Sequence, residues 1–181
     1  MTGTAGAATL NVVGGQLLGA TGVIVDGSSY SVEFLDGTCV ALFNGCDDIT
    51  DFTFQSSAAA VLASQALLDQ VFLDGAEAFD STPELTVGCG ETEGLGCLVL
   101  TPYGVGDAAA AWNNDGVFLE DTTLGGLTFE PAFDFTGVPD AAWAVWTASA
   151  PPTPVPSMNP LAAGLLTAGL IALGVRNRRE V

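Results

Sequence analysis

Residues 16–37, QLLGATGVIVDGSSYSVEFLDG, set the expectation for the whole body of the chain. Val23 and Val25 alternate with their neighbours, Asp26-Gly27-Ser28-Ser29 has turn chemistry, and Tyr30, Val32 and Phe34 then fall on one face before Asp36-Gly37. Period-two alternation around a Gly-containing turn is the pattern of a β-hairpin. Residues 57–73, SAAAVLASQALLDQVFL, read differently. There Val61, Leu62, Leu68, Val71 and Phe72 recur at helical spacing, Ser56 or Ser57 can cap the start, and Gly75 lies just past the end. Residues 85–87, 97–100, 117–119, 127–129 and 143–147 are short apolar runs bounded by Gly, Pro and Asp, and they read as further strands. The expected fold class is α+β: mainly antiparallel β-sheet with one packed helix, plus a C-terminal hydrophobic helix. No repeat of 20 to 50 residues is visible, which disfavours a solenoid or propeller.

With 181 residues, 49% hydrophobic and 13% charged, the chain has the composition of one folded domain and not of a disordered acidic tail. Asp and Glu number 21 against 3 Lys and Arg, with no His, and the three basic residues are Arg176, Arg178 and Arg179. No cationic side chain therefore occurs before residue 176. Phosphate-backbone binding depends on Lys and Arg, so nucleic acid is excluded as a partner. Ser-His-Asp triads, Cys-His pairs, Schiff-base lysines and Cys/His zinc sites are excluded with it.

The composition changes at residue 151, where PPTPVPSMNP places five prolines in ten residues and favours an extended linker. Residues 161–175, LAAGLLTAGLIALGV, carry no charge, and Arg176-Asn177-Arg178-Arg179 follows directly. As a helix those fifteen residues span about 22 Å, a thin span beside the ~30 Å hydrocarbon core. The alternative is a buried core helix, but a core helix needs a polar face and Thr167 is the only polar residue here. Read as a membrane segment, its Arg cluster places the acidic domain on the outer side. Gly164, Gly169 and Gly174 are five apart, so no GxxxG face is formed.

Val155-Pro156-Ser157-Met158, the apolar run and the Arg-rich end, in that order, resemble an exosortase sorting signal of the PEP-CTERM class and its Ile-Pro-Thr-Leu variants. The motif here is Val-Pro-Ser-Met rather than Pro-Glu-Pro. The resemblance covers residues 155–179 and implies an exosortase-like membrane protease that cuts at the motif after export. The protein would pass transiently through the inner membrane and then reach the cell surface or extracellular matrix. A plain C-terminal anchor is the alternative. The phrases GVIVDGSSYSVEFLDGTC, LFNGCDD and ASQALLDQVFLDG likewise resemble exported proteins with PEP-CTERM-type tails, a family with no assigned activity. Export needs an amino-terminal signal, and residues 1–10 have neither a basic start nor an apolar core, so a signal encoded upstream or already removed is expected. The organisation read from the sequence is a flexible 1–10, an acidic β-rich extracellular domain at 11–149, a Pro-rich linker with the sorting motif at 150–160, a transmembrane helix at 161–175 and a basic tail at 176–181.

Cys39, Cys46, Cys89 and Cys97 allow three connectivities. Local pairing, Cys39 with Cys46 and Cys89 with Cys97, is expected because each pair brackets a Gly-containing turn. Disulfides would place the chain in an oxidising compartment. A redox or metal thiolate site lacks both CxxC spacing and a nearby cation to lower a thiol pKa.

No cofactor is expected, with calcium the one ion that an acidic, oxygen-rich, His-free surface can hold. One candidate cluster is Asp47, Asp48 and Asp51. The other is Asn113, Asp115, Glu120 and Asp121 around Asn-Asp-Gly, although aligning Gly116 with an EF-hand glycine puts Ala111 and Thr122 at the first and twelfth ligand positions, so the loop is no EF-hand. Both clusters also read simply as a turn and a solvated loop. A glycosidase needs only two carboxylates, and Glu33, Glu84, Glu120 and Glu130 lie on or beside expected strands, with Trp112, Trp143 and Trp146 available either to a carbohydrate cleft or to the core. The leading expectation is a non-catalytic exported surface or matrix protein whose partners are the membrane, the processing enzyme and a polysaccharide matrix. A secreted carbohydrate-active hydrolase and a simply anchored calcium-binding surface protein are the alternatives.

Overall fold

The structure, a computed structural model, describes residues 7–90, 96–116 and 120–150. The chain divides into two units, Met1–Ser149 and Ala150–Val181, and the fold that follows is that of the first. The sorting motif Val155, Pro156, Ser157 and Met158, the apolar run 161–175, the basic residues Arg176, Arg178 and Arg179, and the expected strand 117–119 lie outside the described residues. Among the described residues no helix is long and apolar enough to cross a membrane.

The protein is α+β. Among the described residues seven strands form one mixed sheet: β1 Thr9–Val13, β2 Gln16–Val25, β3 Ser28–Leu35, β4 Cys97–Gly104, β5 Asp107–Asn113, β6 Thr122–Thr128 and β7 Ala141–Ala148. Their spatial order is β1-β2-β3-β7-β4-β5-β6. Two antiparallel meanders are thus joined through the last strand, which runs antiparallel to β3 and parallel to β4. The short helix α1, Cys39–Leu42, and the main helix α2, Ser57–Gln70, lie in the connection from β3 to β4.

The hairpin at residues 16–37 forms with a tighter turn than its composition predicts. Asp26 and Gly27 both adopt positive φ, 47° and 79°, as a two-residue hairpin turn requires. Ser28 and Ser29 are already paired in β3, opposite Val25 and Ile24. Gly19 supplies a close approach: a Cβ there would overlap the Val32 carbonyl oxygen of the neighbouring strand.

Helix α2 starts where Ser56 accepts a hydrogen bond from the Ala59 N–H at 3.3 Å, a standard N-cap. It ends at Gln70, short of Gly75, where Val71 departs from helical geometry with φ at −118°, and the Gln70 side chain reaches to the sheet. Its Oε1 accepts from the Ile24 N–H at 2.9 Å and its Nε2 donates to the Ile24 carbonyl at 2.8 Å, beside the register shift of β2 between Thr21 and Val23. The buried face of α2 is Ala60, Ala63, Ala66, Leu67 and Leu68, whereas Leu62 is 49% exposed. Small residues at the contact let the helix lie close to the sheet. A Cβ added at Gly125 in β6 would come within 3.2 Å of Val61.

Both faces of the sheet are covered. On the α2 side the core contains Leu17, Val32, Phe34, Phe72, Phe79, Val99 and Trp146. The opposite core is built from Phe43, Phe52, Leu100, Phe135 and Trp143 around the Cys39–Cys46 pair. Three rings meet Trp143 edge-on, Phe129 and Phe135 at 4.9 Å and Phe43 at 5.7 Å between centroids, the geometry that aromatic quadrupoles favour. Strand β5 is buried on both faces: Ala109 and Ala111 join the α2 core and Ala108 and Ala110 the other. With no polar side chain between residues 108 and 111, this strand has no alternation to betray it, and the sequence reading omits it along with β1.

One expected strand is corrected. Residues 85–87 do not form one: Pro83–Leu85 is a 3-10 turn with Pro at its start, where the fixed φ of proline favours a helical turn. Thr86 is joined to β2 by an isolated bridge to Leu17, and the Val87 N–H donates to the Leu17 carbonyl at 3.0 Å.

Candidate functional site

Both local disulfides are present, Cys39–Cys46 with Cα atoms 5.6 Å apart and Cys89–Cys97 with Cα atoms 5.7 Å apart. The first closes the turn after α1, where Asn44 and Cys46 take positive φ. The second ties the segment after the 3-10 turn to the first residue of β4. No described cysteine is free.

The first acidic cluster is folded around its own backbone. Asp48 caps a 3-10 turn at Ile49–Asp51, accepting from the Thr50 N–H at 2.9 Å and the Thr50 hydroxyl at 2.8 Å. The Asp51 carboxylate accepts from Asn44 Nδ2 at 3.1 Å and from the N–H groups of Asp47 and Asp48 at 3.2 and 3.1 Å. These bonds hold both carboxyls below the ordinary range, through Thr50 for Asp48 and chiefly through Asn44 for Asp51. Asp47 is exposed. The geometry is that of a loop clamp that seals the turn closed by Cys46.

The second cluster is rearranged relative to its spacing in sequence. Asn113, the last residue of β5, is fully buried, and its Nδ2 donates to the Phe79 carbonyl at 2.8 Å. Asn114 Oδ1 accepts from the Gly116 N–H at 2.7 Å, while the Asn114 N–H donates to Asp121 Oδ1 at 2.9 Å. Glu120 is exposed. The carboxyl group that Asp121 meets by hydrogen bonding is Asp80, from a loop far back in the chain. Burial, with Asp80 adding to it, pushes the Asp121 carboxyl up to about 6, against the opposing pull of the Asn114 N–H. The Asp80 loop is itself wound around Asp74, which accepts from the N–H groups of Asp80 and Ser81 at 3.2 and 3.0 Å. Asn113 Oδ1 and Asn114 Nδ2 are buried with no hydrogen-bond partner. Nothing in residues 74–82 marks Asp80 as a partner of Asp121, since the pairing is made by tertiary packing of Phe79 under the end of β5.

Among the described residues no three His, Cys, Asp or Glu side chains come together as a metal centre. The four glutamates weighed for glycoside hydrolysis, Glu33, Glu84, Glu120 and Glu130, are all exposed. Glu33 lines a groove of about 420 Å³ with Asn11, Val13, Gln16, Leu18 and Leu35. Of the tryptophans, Trp143 and Trp146 belong to the core, where their indole N–H groups donate to the Gly37 carbonyl at 3.0 Å and to Thr101 Oγ1 at 3.1 Å. Trp112 is half-buried and its Nε1 is enclosed. A further carboxyl, Asp36, borders a shallow cleft of about 310 Å³ with Gly88, Gly90, Gly137 and Pro139. Burial and then the Asp134 charge raise it above its ordinary value.

No protein-family model, curated protein or solved structure matches the chain.

Proposed function

We propose that this is a non-catalytic exported protein of the cell surface or extracellular matrix, delivered by its C-terminal segment acting as a PEP-CTERM-like sorting signal. The observation that carries the reading is the pair of local disulfides, Cys39–Cys46 and Cys89–Cys97, because such bonds persist in oxidising compartments. Four features of the sequence support it. The Val155-Pro156-Ser157-Met158 motif, the uncharged 161–175 run and the Arg176, Arg178 and Arg179 end occur in the order of a sorting signal. The absence of any basic side chain before residue 176 leaves a strongly anionic body, which stays dispersed until salt or divalent ions screen it.

Mass spectrometry of the protein from its native host tests the reading. Surface or culture-supernatant material that has lost everything beyond about Pro156, with all four thiols oxidised, is the expected result. Full-length protein in the cytosol with reduced cysteines overturns it. An intact tail in the membrane fraction replaces sorting by simple anchoring.

A further inference from the structure

Where the Asp80 loop meets the connection from β5 to β6, the fold concentrates negative charge and unpartnered polarity that its own side chains do not balance. Asp80 and Asp121 are in hydrogen-bonding contact through their side chains. Two ionised carboxylates this close repel one another unless something positive lies with them. No described residue carries a cationic side chain, since the three of the sequence are Arg176, Arg178 and Arg179.

A second observation concerns a neutral side chain. Asn113 is fully buried, and its amide is held against the Phe79–Asp80 peptide by the 2.8 Å bond from Nδ2 to the Phe79 carbonyl. That bond fixes which end of the amide is nitrogen, so the remaining atom is an oxygen acceptor, and it is buried with no hydrogen-bond partner. The next residue, Asn114, gives its N–H to Asp121. Two neighbouring residues at the end of β5 thus contact the Phe79–Asp80 peptide and the Asp121 carboxyl, one each. Buried amide oxygens in native folds normally have a partner, and one that lacks a protein partner points to an ion or a water.

We propose that the Asp80 and Asp121 carboxylates and Asn113 Oδ1 form a binding site for a hard divalent cation, calcium. The donor set is all oxygen, two of the three groups are anionic, and there is no imidazole or free thiol among the described residues to favour a softer metal. Water and main-chain carbonyls complete the shell that calcium needs. The site differs from the cluster expected from sequence spacing, because it takes Asp80 from a distant loop and does not require Glu120. It differs also from the Asp47, Asp48 and Asp51 group, whose Asp48 and Asp51 carboxylates are committed to N–H and side-chain donors. A cation here would fasten the Asp80 loop to the sheet. The proposal is independent of how the tail is processed.

Titration calorimetry of the full chain with calcium chloride, at neutral pH and physiological salt, tests it. Saturable binding at one site per chain is expected, with a Kd of about 10⁻⁴–10⁻³ M, the range of extracellular calcium modules. Asp121→Asn and Asp80→Asn should each weaken that binding by roughly tenfold or more, as removal of a charged ligand does. Asp26→Asn, which deletes the same charge in the β2–β3 turn, should leave it unchanged. Calcium should also raise the thermal midpoint of the unaltered protein and not that of the Asp80 variant. If one variant fails to fold, the other still decides. No saturable heat, an equal loss in Asp26→Asn, or binding abolished only by Asp47→Asn or Asp48→Asn would each overturn the assignment.

Discussion

Replacing Gln70 removes both hydrogen bonds by which the end of α2 grips the backbone of Ile24, at 2.9 and 2.8 Å. Each such bond contributes about 1 kcal/mol net, and leaving the Ile24 N–H and carbonyl without partners adds to the loss, so Gln70→Ala should cost about 2–3 kcal/mol. The better helix propensity of alanine offsets only a few tenths of that. For a chain of this size the change corresponds to a fall in thermal midpoint of roughly 4–10 °C. Gln70→Glu is the sharper probe. It keeps an acceptor for the Ile24 N–H but sets a carboxylate against the Ile24 carbonyl, which disfavours the charged form and raises the carboxyl pKa in the folded state. A raised folded pKa means that stability returns as pH falls through it. Gln70→Glu should therefore be more destabilised than Gln70→Ala at pH 7 and should regain much of the difference near pH 4. Urea unfolding followed by circular dichroism at the two pH values measures this. A Gln70→Ala cost below about 0.5 kcal/mol, or a Gln70→Glu deficit that is the same at both pH values, would refute the idea that this side chain clamps helix to sheet.

Replacing Cys39 and Cys46 together by serine should lower unfolding free energy by about 2–3 kcal/mol, the loop-entropy value for so short a ring, and chemical denaturation of the double variant under oxidising conditions checks it. Gly19→Ala forces a Cβ into the Val32 carbonyl at φ +152°; the expected cost is about 2–3 kcal/mol, whereas Gly27→Ala, with open space around it, suffers only from its positive φ. Asp121, pushed up to about 6 in the fold from 3.8, opposes folding when ionised. Its contribution to stability therefore improves as pH falls from above 6 toward 4. The difference in unfolding free energy between the unaltered protein and Asp121→Asn, measured across that window without calcium, should shift in favour of the unaltered protein on acidification. A flat difference would show that Asp121 is not perturbed. Ala109→Leu should cost about 1–3 kcal/mol by overfilling the closed space under α2, while Ala58→Leu on the exposed start of the same helix should be nearly neutral by thermal melting.

The candidate calcium site was half legible. Asn113 and Asp121 stand near an Asn-Asp-Gly turn, so oxygen-rich chemistry there is visible from residue types alone. Asp80 is not, because the contact exists only once Phe79 is buried beneath β5 and offers its carbonyl to Asn113. The Asp47, Asp48 and Asp51 cluster is local in sequence. Its spacing resembles a ligand set, and what only the fold adds is that Asp48 and Asp51 also accept hydrogen bonds from local N–H groups.

By itself the sequence determined what local chemistry controls. Asp26-Gly27 permits the positive φ values of a hairpin turn, Ser56 caps α2, and closely spaced cysteines find one another because their loops are short. It also removed whole classes of chemistry through the absence of His and Lys. Tertiary structure alone decided what two runs of alanine become. Ala58, Ala59 and Ala60 are helical, while Ala108 to Ala111 form the centre of β5. A methyl side chain carries no period that distinguishes helix from strand. The choice falls to the partners: β4 and β6 supply hydrogen bonds on either side of β5, and only side chains this small let α2 and the Trp143 layer close on both of its faces.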